Sequence, residues 1–344
     1  WTATDTGTLV YGVNFGEGGV PQLLGLDAVS GETEHVVDLP LGEAEEATVG
    51  VSAFDPITQT YYTIVQVESG LPPPAAEEDS VLVVARLGRE AERRTVHLGQ
   101  DQILSMHFDA LHNRLLAVTY RFPTRPSHPP AGAWFATIDP ETGMVFPFVS
   151  MRASATGAAA VPVPGMSAFD KSTHTYYALG ADHDCDKPRV FAVDTVSMVG
   201  YNLALPVASA PLECDVVSLE CESTTGLLLA MVACEANATA GTAALTEMVR
   251  INGTSGEFES RGKNSGSQIP AAAGMLSSAY DDVASSYFSV FDEQGDAEGS
   301  HLVTRNAEVF STICGSASED FPLRLRCSSG TVTAIDFASF GTPE

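Results

Sequence analysis

Basic residues are scarce in this chain of 344 residues, where 17 lysines and arginines stand against 44 aspartates and glutamates and give a formal net charge of −27. A surface this acidic repels phosphate backbones and anionic lipid headgroups, which excludes nucleic acid and membrane surfaces as partners. Long apolar runs are missing too, since none approaches the roughly 18 residues that a membrane-spanning helix needs. We expect no membrane span, and we interpret the charge as a source of solubility or of attraction for divalent ions.

Catalytic signatures are also absent. The sequence has no His-Glu-x-x-His, Gly-x-Ser-x-Gly, phosphate-binding loop, dinucleotide fingerprint or Cys-x-x-Cys. The eight histidines fall mostly in or beside expected turns, and only His107 and His112 approach a metal-ligand spacing. Residues at the expected start of the inner strands, such as Ser52, Ser105 and Ser167, are small and neutral. These absences predict a protein that is not an enzyme and that has no catalytic cofactor.

What the chain has is a repeated phrase. Residues 52–64 read Ser-Ala-Phe-Asp-Pro-Ile-Thr-Gln-Thr-Tyr-Tyr-Thr-Ile, and residues 167–177 return the same pattern. Looser copies, roughly 50 to 60 residues apart, centre on Asp5, Asp109, Cys221 and Asp281. A period of this length is typical of a repeat architecture.

Each repeat predicts a small antiparallel sheet. An apolar run ends at the acidic residue, a polar turn follows, and a second β-rich run carries paired aromatics or leucines, which is the pattern of a hairpin. Two further runs around Asp or Asn turns make four strands. Such a sheet cannot bury both faces alone, whereas a closed ring stacks each sheet between neighbours. We predict an all-β fold, a β-propeller of about six four-stranded blades, with seven as the alternative.

Details of the repeat lead to two expectations about side chains. The recurring aspartate, as at Asp55, should cap its turn rather than ring the axis with carboxylates. Of each aromatic pair, such as Tyr61 and Tyr62, one ring should lie in the core and the other at the surface. The propeller is expected over residues 1–312. Its predicted blades are 1–48, 49–101, 102–160, 161–210, 211–265 and 266–312.

Several features predict a secreted, extracellular glycoprotein. The chain carries an even number of cysteines and two N-glycosylation sequons, at Asn237 and Asn252. Trp1 is not an initiator residue, so we expect that an upstream segment was removed or is not included, and a cleaved secretory signal would leave such a start.

The propeller cysteines allow three pairings. If Cys221 faces Leu227 across its hairpin, the register puts Cys214 opposite Cys234, and that disulfide is our first choice. A Cys185 to Cys221 disulfide would then join blades 4 and 5.

Two insertions and one acidic loop are further candidate sites. The proline-rich insertions are candidates for hydroxylation and O-glycosylation at Pro72, Pro73, Pro74, Pro126, Ser127, Pro129 and Pro130.

Alternating carboxylates at Asp182, Asp184 and Asp186 match part of a calcium loop, although the glycine and the closing glutamate of such loops are missing. Calcium is therefore the one cofactor that the sequence suggests.

The last residues have a different pattern. An acidic residue, then Leu-Arg-Leu-Arg-Cys and Ile-Asp-Phe-Ala-Ser-Phe-Gly-Thr-Pro-Glu, ends the chain within residues 313–344. This segment resembles the first strands of a SUEL-type, galactose- or rhamnose-binding lectin domain. The resemblance implies a domain that continues beyond residue 344, with the partners of Cys314 and Cys327 in the continuation. It also implies a sugar contact at Glu319.

Taken together, these observations favour a non-enzymatic extracellular scaffold. It would be an adhesion or interaction module within a larger protein, such as the building block of a cell-surface filament or flagellar hair. Its partners would be other extracellular subunits, further copies of itself, or glycans. The alternative is a secreted carbohydrate-binding or carbohydrate-active protein in which the propeller is the recognition or catalytic unit.

Overall fold

The computed structural model describes the strands and tight turns of the chain up to residue 306. The described residues are 2–3, 9–15, 21–27, 33–39, 45–67, 79–86, 92–95, 101–121, 132–152, 160–182, 185–204, 214–234, 245–255, 258–262, 274–281, 286–292 and 300–306. Within these ranges all regular structure is β. No helix there is long and apolar enough to cross a membrane.

The described strands form six antiparallel sheets, numbered in chain order. Sheet 1 contains β1 (Thr2–Ala3), β2 (Leu9–Phe15), β3 (Pro21–Asp27) and β4 (Thr33–Asp38), and sheet 2 contains β5 (Glu45–Asp55), β6 (Thr60–Val67), β7 (Asp79–Arg86) and β8 (Glu92–Thr95). Sheet 3 contains β9 (Asp101–Asp109), β10 (Arg114–Arg121), β11 (Gly132–Ile138) and β12 (Val145–Met151), and sheet 4 contains β13 (Ala160–Asp170), β14 (Thr175–Asp182), β15 (Cys185–Asp194) and β16 (Val199–Ala204). Sheet 5 contains β17 (Cys214–Glu222), β18 (Leu227–Cys234), β19 (Leu245–Asn252) and β20 (Phe258–Gly262), and sheet 6 contains β21 (Gly274–Asp281), β22 (Ser286–Asp292) and β23 (Ser300–Asn306).

The strands of every sheet follow one another in space in the order of the chain, and each pairs with the next. The first strands of the sheets contact each other in a closed circuit, from β1 through β5, β9, β13, β17 and β21 back to β1. An all-β fold of several small antiparallel sheets is therefore confirmed.

The core lies between adjacent sheets. Buried apolar clusters join sheet 1 to 2, sheet 2 to 3, sheet 3 to 4 and sheet 4 to 5. Sheets 2, 3 and 4 consequently bury both of their faces. This burial drives the stacking, since each buried leucine or valine contributes about 1.5–3 kcal/mol relative to its exposed state.

Burial on both faces corrects the expectation for the aromatic pairs. Tyr61 faces sheet 1 while Tyr62 faces sheet 3, and both are buried. Tyr176 and Tyr177 likewise face sheets 3 and 5, and both are buried. Side chains alternate between the two faces of a strand, but here neither face meets solvent.

The first hairpin of sheets 2 to 5 closes with one common turn. Its last residue has a left-handed backbone in all four, at Gln59, Asn113, His174 and Gly226, with φ between 49° and 70°. Three of these four residues are not glycine, although a side chain disfavours that conformation by about 1–2 kcal/mol. The turn must therefore be held by strong local contacts.

Sheet 5 shows that the predicted alignment was wrong by one residue. The turn position held by Asp170 in sheet 4 is held by Glu222, because Glu222 pairs with Leu227 and Cys221 pairs with Leu228. A β-bulge at Val217 shifts the register back, so that Cys214 does lie opposite Cys234. The backbone of the first predicted disulfide is thus in register, although the described contacts do not include the two cysteine side chains.

The predicted Cys185 to Cys221 disulfide stays a prediction, because the Cys185 side chain is not among those that the structure describes. The Cys221 side chain is buried and packs in the cluster between sheets 4 and 5 that also contains Tyr177. Cys185 pairs with Asp182, at the other end of β14 from Tyr177. The five residues from Tyr177 to Asp182 span about 17 Å along β14 at 3.4 Å per residue, so the backbone register does not favour this pairing.

Candidate functional site

The repeated carboxylates cap their turns, as predicted. The Asp170 carboxylate accepts hydrogen bonds from the backbone N–H groups of Ser172 (2.8 Å) and Thr173 (3.3 Å) and from both hydroxyls, each at 2.7 Å. Asp55 accepts in the same way from Ile57 N–H and from the Thr58 hydroxyl. These bonds explain the left-handed residue that ends each turn. The side chains of Asp5 and Asp281 lie outside the described residues.

The third repeat departs from this pattern and brings ionisable side chains together. Asp109, which is 1% exposed, accepts from Nδ1 of His112 at 2.7 Å and from Nε of Arg114 at 3.0 Å. Arg114 also crosses to sheet 4, where its Nη2 donates to the Thr195 carbonyl at 2.8 Å. Asp109 therefore both caps a turn and holds an imidazole and a guanidinium in fixed orientations.

His174 of sheet 4 completes this group, which we call the seam cluster: Asp109, His112, Arg114 and His174. The imidazole rings of His112 and His174 lie 5.9 Å apart, centre to centre, at 72° to each other. The carbonyl of His174 accepts hydrogen bonds from the N–H and the hydroxyl of Thr195, both at 2.9 Å. The His174 Nδ1 atom is buried and has no hydrogen-bond partner.

A second polar contact joins the same two sheets near their first strands. Nε2 of His107 lies 3.0 Å from the Ser167 carbonyl and 3.1 Å from its hydroxyl, so His107 donates its Nε2 proton to the carbonyl. The Tyr176 hydroxyl bridges Ser105 at 3.0 Å and Ser167 at 3.3 Å. Desolvation lowers the pKa of His107 to about 4 and raises the pKa of Tyr176 to about 12. Both groups are neutral at pH 7.

Two glutamates make the corresponding contact between sheets 5 and 6. Glu220 accepts from the Ser278 hydroxyl at 2.6 Å, and Glu222 accepts from the Tyr280 hydroxyl at 3.1 Å. Glu222 also lies 3.7 Å from Nη2 of Arg250. The two glutamates stand two residues apart on β17 and point toward the same neighbour. Serines on the first strands, such as Ser105, Ser167 and Ser278, are therefore hydrogen-bonding groups between sheets.

The outer strands differ in charge from sheet to sheet. The sequences of β4, β8 and β20 all contain charged residues, whereas β12 (VFPFVSM) and β16 (VGYNLA) contain none. Phe146 of β12 is 51% exposed, and Val199 of β16 is 60% exposed. The two strands approach closely, since a Cβ built on Gly200 would lie 2.9 Å from Cγ1 of Val149. We call the pair formed by β12 and β16 the neutral edge.

The structure brings few of the predicted site residues together. Asp182 ends β14 and Asp186 lies near the start of β15, without described side chains, and Asp184 is outside the described ranges. Among described residues no group of three or more His, Cys, Asp or Glu side chains is arranged to hold a metal ion. The calcium site stays a prediction.

The modification sites also stay predictions. Asn252 ends β19, and its Oδ1 accepts from the N–H groups of Thr254 and Ser255 in a turn, which leaves Thr254 exposed. Asn237, Glu319, Cys314, Cys327 and the proline-rich residues lie outside the described residues.

The polar contacts between sheets were mostly hidden from sequence reasoning. The spacing of His107 and His112 was noticed, but His174, Glu220 and Glu222 were missed. The partners that His107 and the two glutamates have in the neighbouring sheet are 58 or more residues distant, so no local pattern could reveal those contacts.

Comparisons with known proteins bear on the fold. No family model matches the chain, and no curated protein matches it. Among solved structures, a Kuenenia stuttgartiensis hydrazine synthase has a TM-score of 0.50 at 12% identity, over 84% of this chain and 72% of that one. A putative TolB from Agrobacterium tumefaciens has a TM-score of 0.50 at 10% identity, over 82% and 84%. At these identities the likeness is one of fold, and it is propeller-like.

The same comparison corrects the expectation that the chain is not an enzyme. A similar fold occurs in a hydrazine synthase, whose name is that of an enzyme. The lack of a catalytic motif in the sequence therefore does not exclude catalysis. Propeller-like folds assemble their polar groups from separate sheets, as the seam cluster shows, and such assemblies leave no contiguous motif.

Proposed function

We propose that the six sheets are the blades of a six-bladed β-propeller that serves as an interaction module in a secreted, extracellular glycoprotein, and that the neutral edge is its contact surface. The closed circuit of first strands supports six blades. Residues 313–344, with their lectin-like pattern, would then begin a second module after the propeller.

The single observation that carries this proposal is the neutral edge. Outer strands expose unpaired backbone groups, and charged side chains on them discourage contact with other chains. Such charges are present on β4, β8 and β20 and absent from β12 and β16. In a chain with a net charge of −27, an uncharged apolar edge is a place where a neighbour can approach without strong repulsion. The partner is a neighbouring protein subunit, and a further copy of this chain is the first to test.

Sedimentation velocity over a range of protein concentrations tests the proposal. We expect the full chain to self-associate, and we expect Phe146→Asp or Val199→Asp to shift it to monomer. Ile57→Asp is the matched control, because Ile57 is a 75% exposed apolar residue on a turn of sheet 2, away from the neutral edge. Association that survives both edge substitutions, or that Ile57→Asp abolishes equally, would refute this contact surface. If the chain alone is monomeric at every concentration, the self-partner is wrong.

The glutamate pair favours a second candidate, a carbohydrate-active propeller. The Cα atoms of residues two apart on a strand are separated by about 7 Å, and the carboxyl groups of inverting glycoside hydrolases lie about 6.5–9.5 Å apart. Glu220 and Glu222 both accept hydrogen bonds from hydroxyl groups, as sugar-binding carboxylates do. A glycoside-hydrolysis screen tests this function. Activity that is lost in Glu220→Gln but kept in Phe146→Asp would support it, and no activity on any glycan would refute it.

A further inference from the structure

His112 is oriented in the way that proteins orient a metal-binding imidazole. Its Nδ1 lies 2.7 Å from a carboxylate oxygen of Asp109, so Nδ1 carries the proton and the lone pair is left on Nε2. Carboxylate partners of this kind commonly fix the tautomer of histidines that ligate metals. The His112 side chain is 37% exposed, and an ion from solvent can reach it.

His174 supplies a second nitrogen, from the neighbouring sheet. Its Nδ1 is buried without a hydrogen-bond partner, which is costly for a polar atom unless a ligand uses it. Its position is fixed, because its backbone is left-handed, with φ of 55°, and its carbonyl accepts two hydrogen bonds from Thr195. The histidine therefore stays in an unfavourable conformation beside His112.

We propose that His112 and His174 bind one transition-metal ion at the seam between sheets 3 and 4, with Asp109 as the group that orients His112. Two imidazoles on one tetrahedral ion, at about 2.0–2.1 Å per Zn–N bond, have their ring centres about 5 Å apart. The ring centres of His112 and His174 lie 5.9 Å apart, so the two rings would have to approach each other by roughly 1 Å to share an ion. Water completes the coordination, because the described residues offer no third protein ligand there.

The surrounding charges fit such an ion. The positive charge of Arg114 is paired with the Asp109 carboxylate, and its Nη2 donates to the Thr195 carbonyl. Asp194 lies close enough to His174 for the two to interact electrostatically. Two imidazole ligands select zinc, copper or nickel over calcium, which prefers oxygen. The site is therefore distinct from the calcium loop expected at Asp182, Asp184 and Asp186.

The test is isothermal titration of the full chain with Zn²⁺ at pH 7.5. We expect one ion per chain and an affinity at least tenfold weaker in each of His112→Gln and His174→Gln. Asp109→Asn should weaken binding by about 10- to 100-fold, as loss of an orienting partner does elsewhere. His107→Gln is the matched control, because His107 is a seam histidine whose Nε2 is already engaged by Ser167.

Electron paramagnetic resonance of the Cu²⁺-loaded wild-type chain gives a measurement that needs no variant. Hyperfine coupling to two imidazole nitrogens is the expected result. A spectrum without nitrogen coupling, or zinc binding that neither His112→Gln nor His174→Gln weakens, would overturn the proposal by placing the ion elsewhere. Absence of any zinc binding would overturn it as well.

Discussion

Replacing Asp170 by alanine should destabilise the protein more than replacing an exposed aspartate in a similar turn. The Asp170 side chain is 1% exposed, and it accepts four hydrogen bonds that hold the turn between β13 and β14. Hydrogen bonds to a charged group contribute about 1.5–3 kcal/mol each, but water can reach the turn and replace some of them. We therefore expect Asp170→Ala to lower the free energy of unfolding by about 3 kcal/mol.

Asp194 provides the matched comparison, because its carboxylate caps an exposed turn through Val196 N–H (2.8 Å) and Ser197 N–H (2.9 Å). Those backbone bonds, with that of Ser197 first, lower the pKa of Asp194. Since water competes freely there, Asp194→Ala should cost about 1 kcal/mol or less. Urea denaturation followed by tryptophan fluorescence and circular dichroism measures both values. Equal destabilisation by the two substitutions would show that burial of the carboxylate adds nothing, which would refute the reasoning.

Two further predictions concern acidity and packing. Because burial lowers the pKa of His107 from 6.5 to about 4, the folded state binds fewer protons than the unfolded state between those pH values. The free energy of unfolding should therefore fall by at most about 3 kcal/mol as the pH drops from 6.5 to 4. The substitution His107→Gln should flatten that part of the plot of urea midpoint against pH. A plot that His107→Gln leaves unchanged would contradict this prediction. Gly253→Ala should lower the free energy of unfolding by about 1–3 kcal/mol in the same assay. The new methyl carbon would lie 2.7 Å from the Tyr177 hydroxyl and 2.9 Å from the Gly226 carbonyl, so these groups would have to move apart. An unchanged free energy of unfolding would show that they move apart readily.

Local features of the fold were predictable from the sequence because their partners lie a few residues apart. The turn at Asp55 is one example: Asp55, Ile57 and Thr58 make the whole capping arrangement. The aromatic pairs were misread for a physical reason. Alternation along a strand separates two faces, but it does not tell whether the second face meets water or another sheet.

Register and contacts between sheets could not be predicted. The bulge at Val217 changes the pairing of sheet 5 by one residue, and no residue type marks it. It explains why Glu222, and not Cys221, stands at the turn. His174 lies beside His112 only because sheets 3 and 4 stack on each other. From the sequence alone, His174 is one more residue at the end of a turn, like Gln59 or Asn113.

The contact between β1 and β21 has a consequence for how the chain is made. Residues 2–3 meet a strand that begins at Gly274, so the circuit closes only after that strand has left the ribosome. Joining segments about 270 residues apart costs roughly 5 kcal/mol of chain entropy, and this must be offset by contacts formed in the same late step. Sheets 2 to 5 can stack as they emerge, but sheet 1 keeps one face uncovered until sheet 6 arrives. The nascent chain therefore exposes apolar surface until the strands of sheet 6 have emerged, and we expect it to depend on chaperones until then.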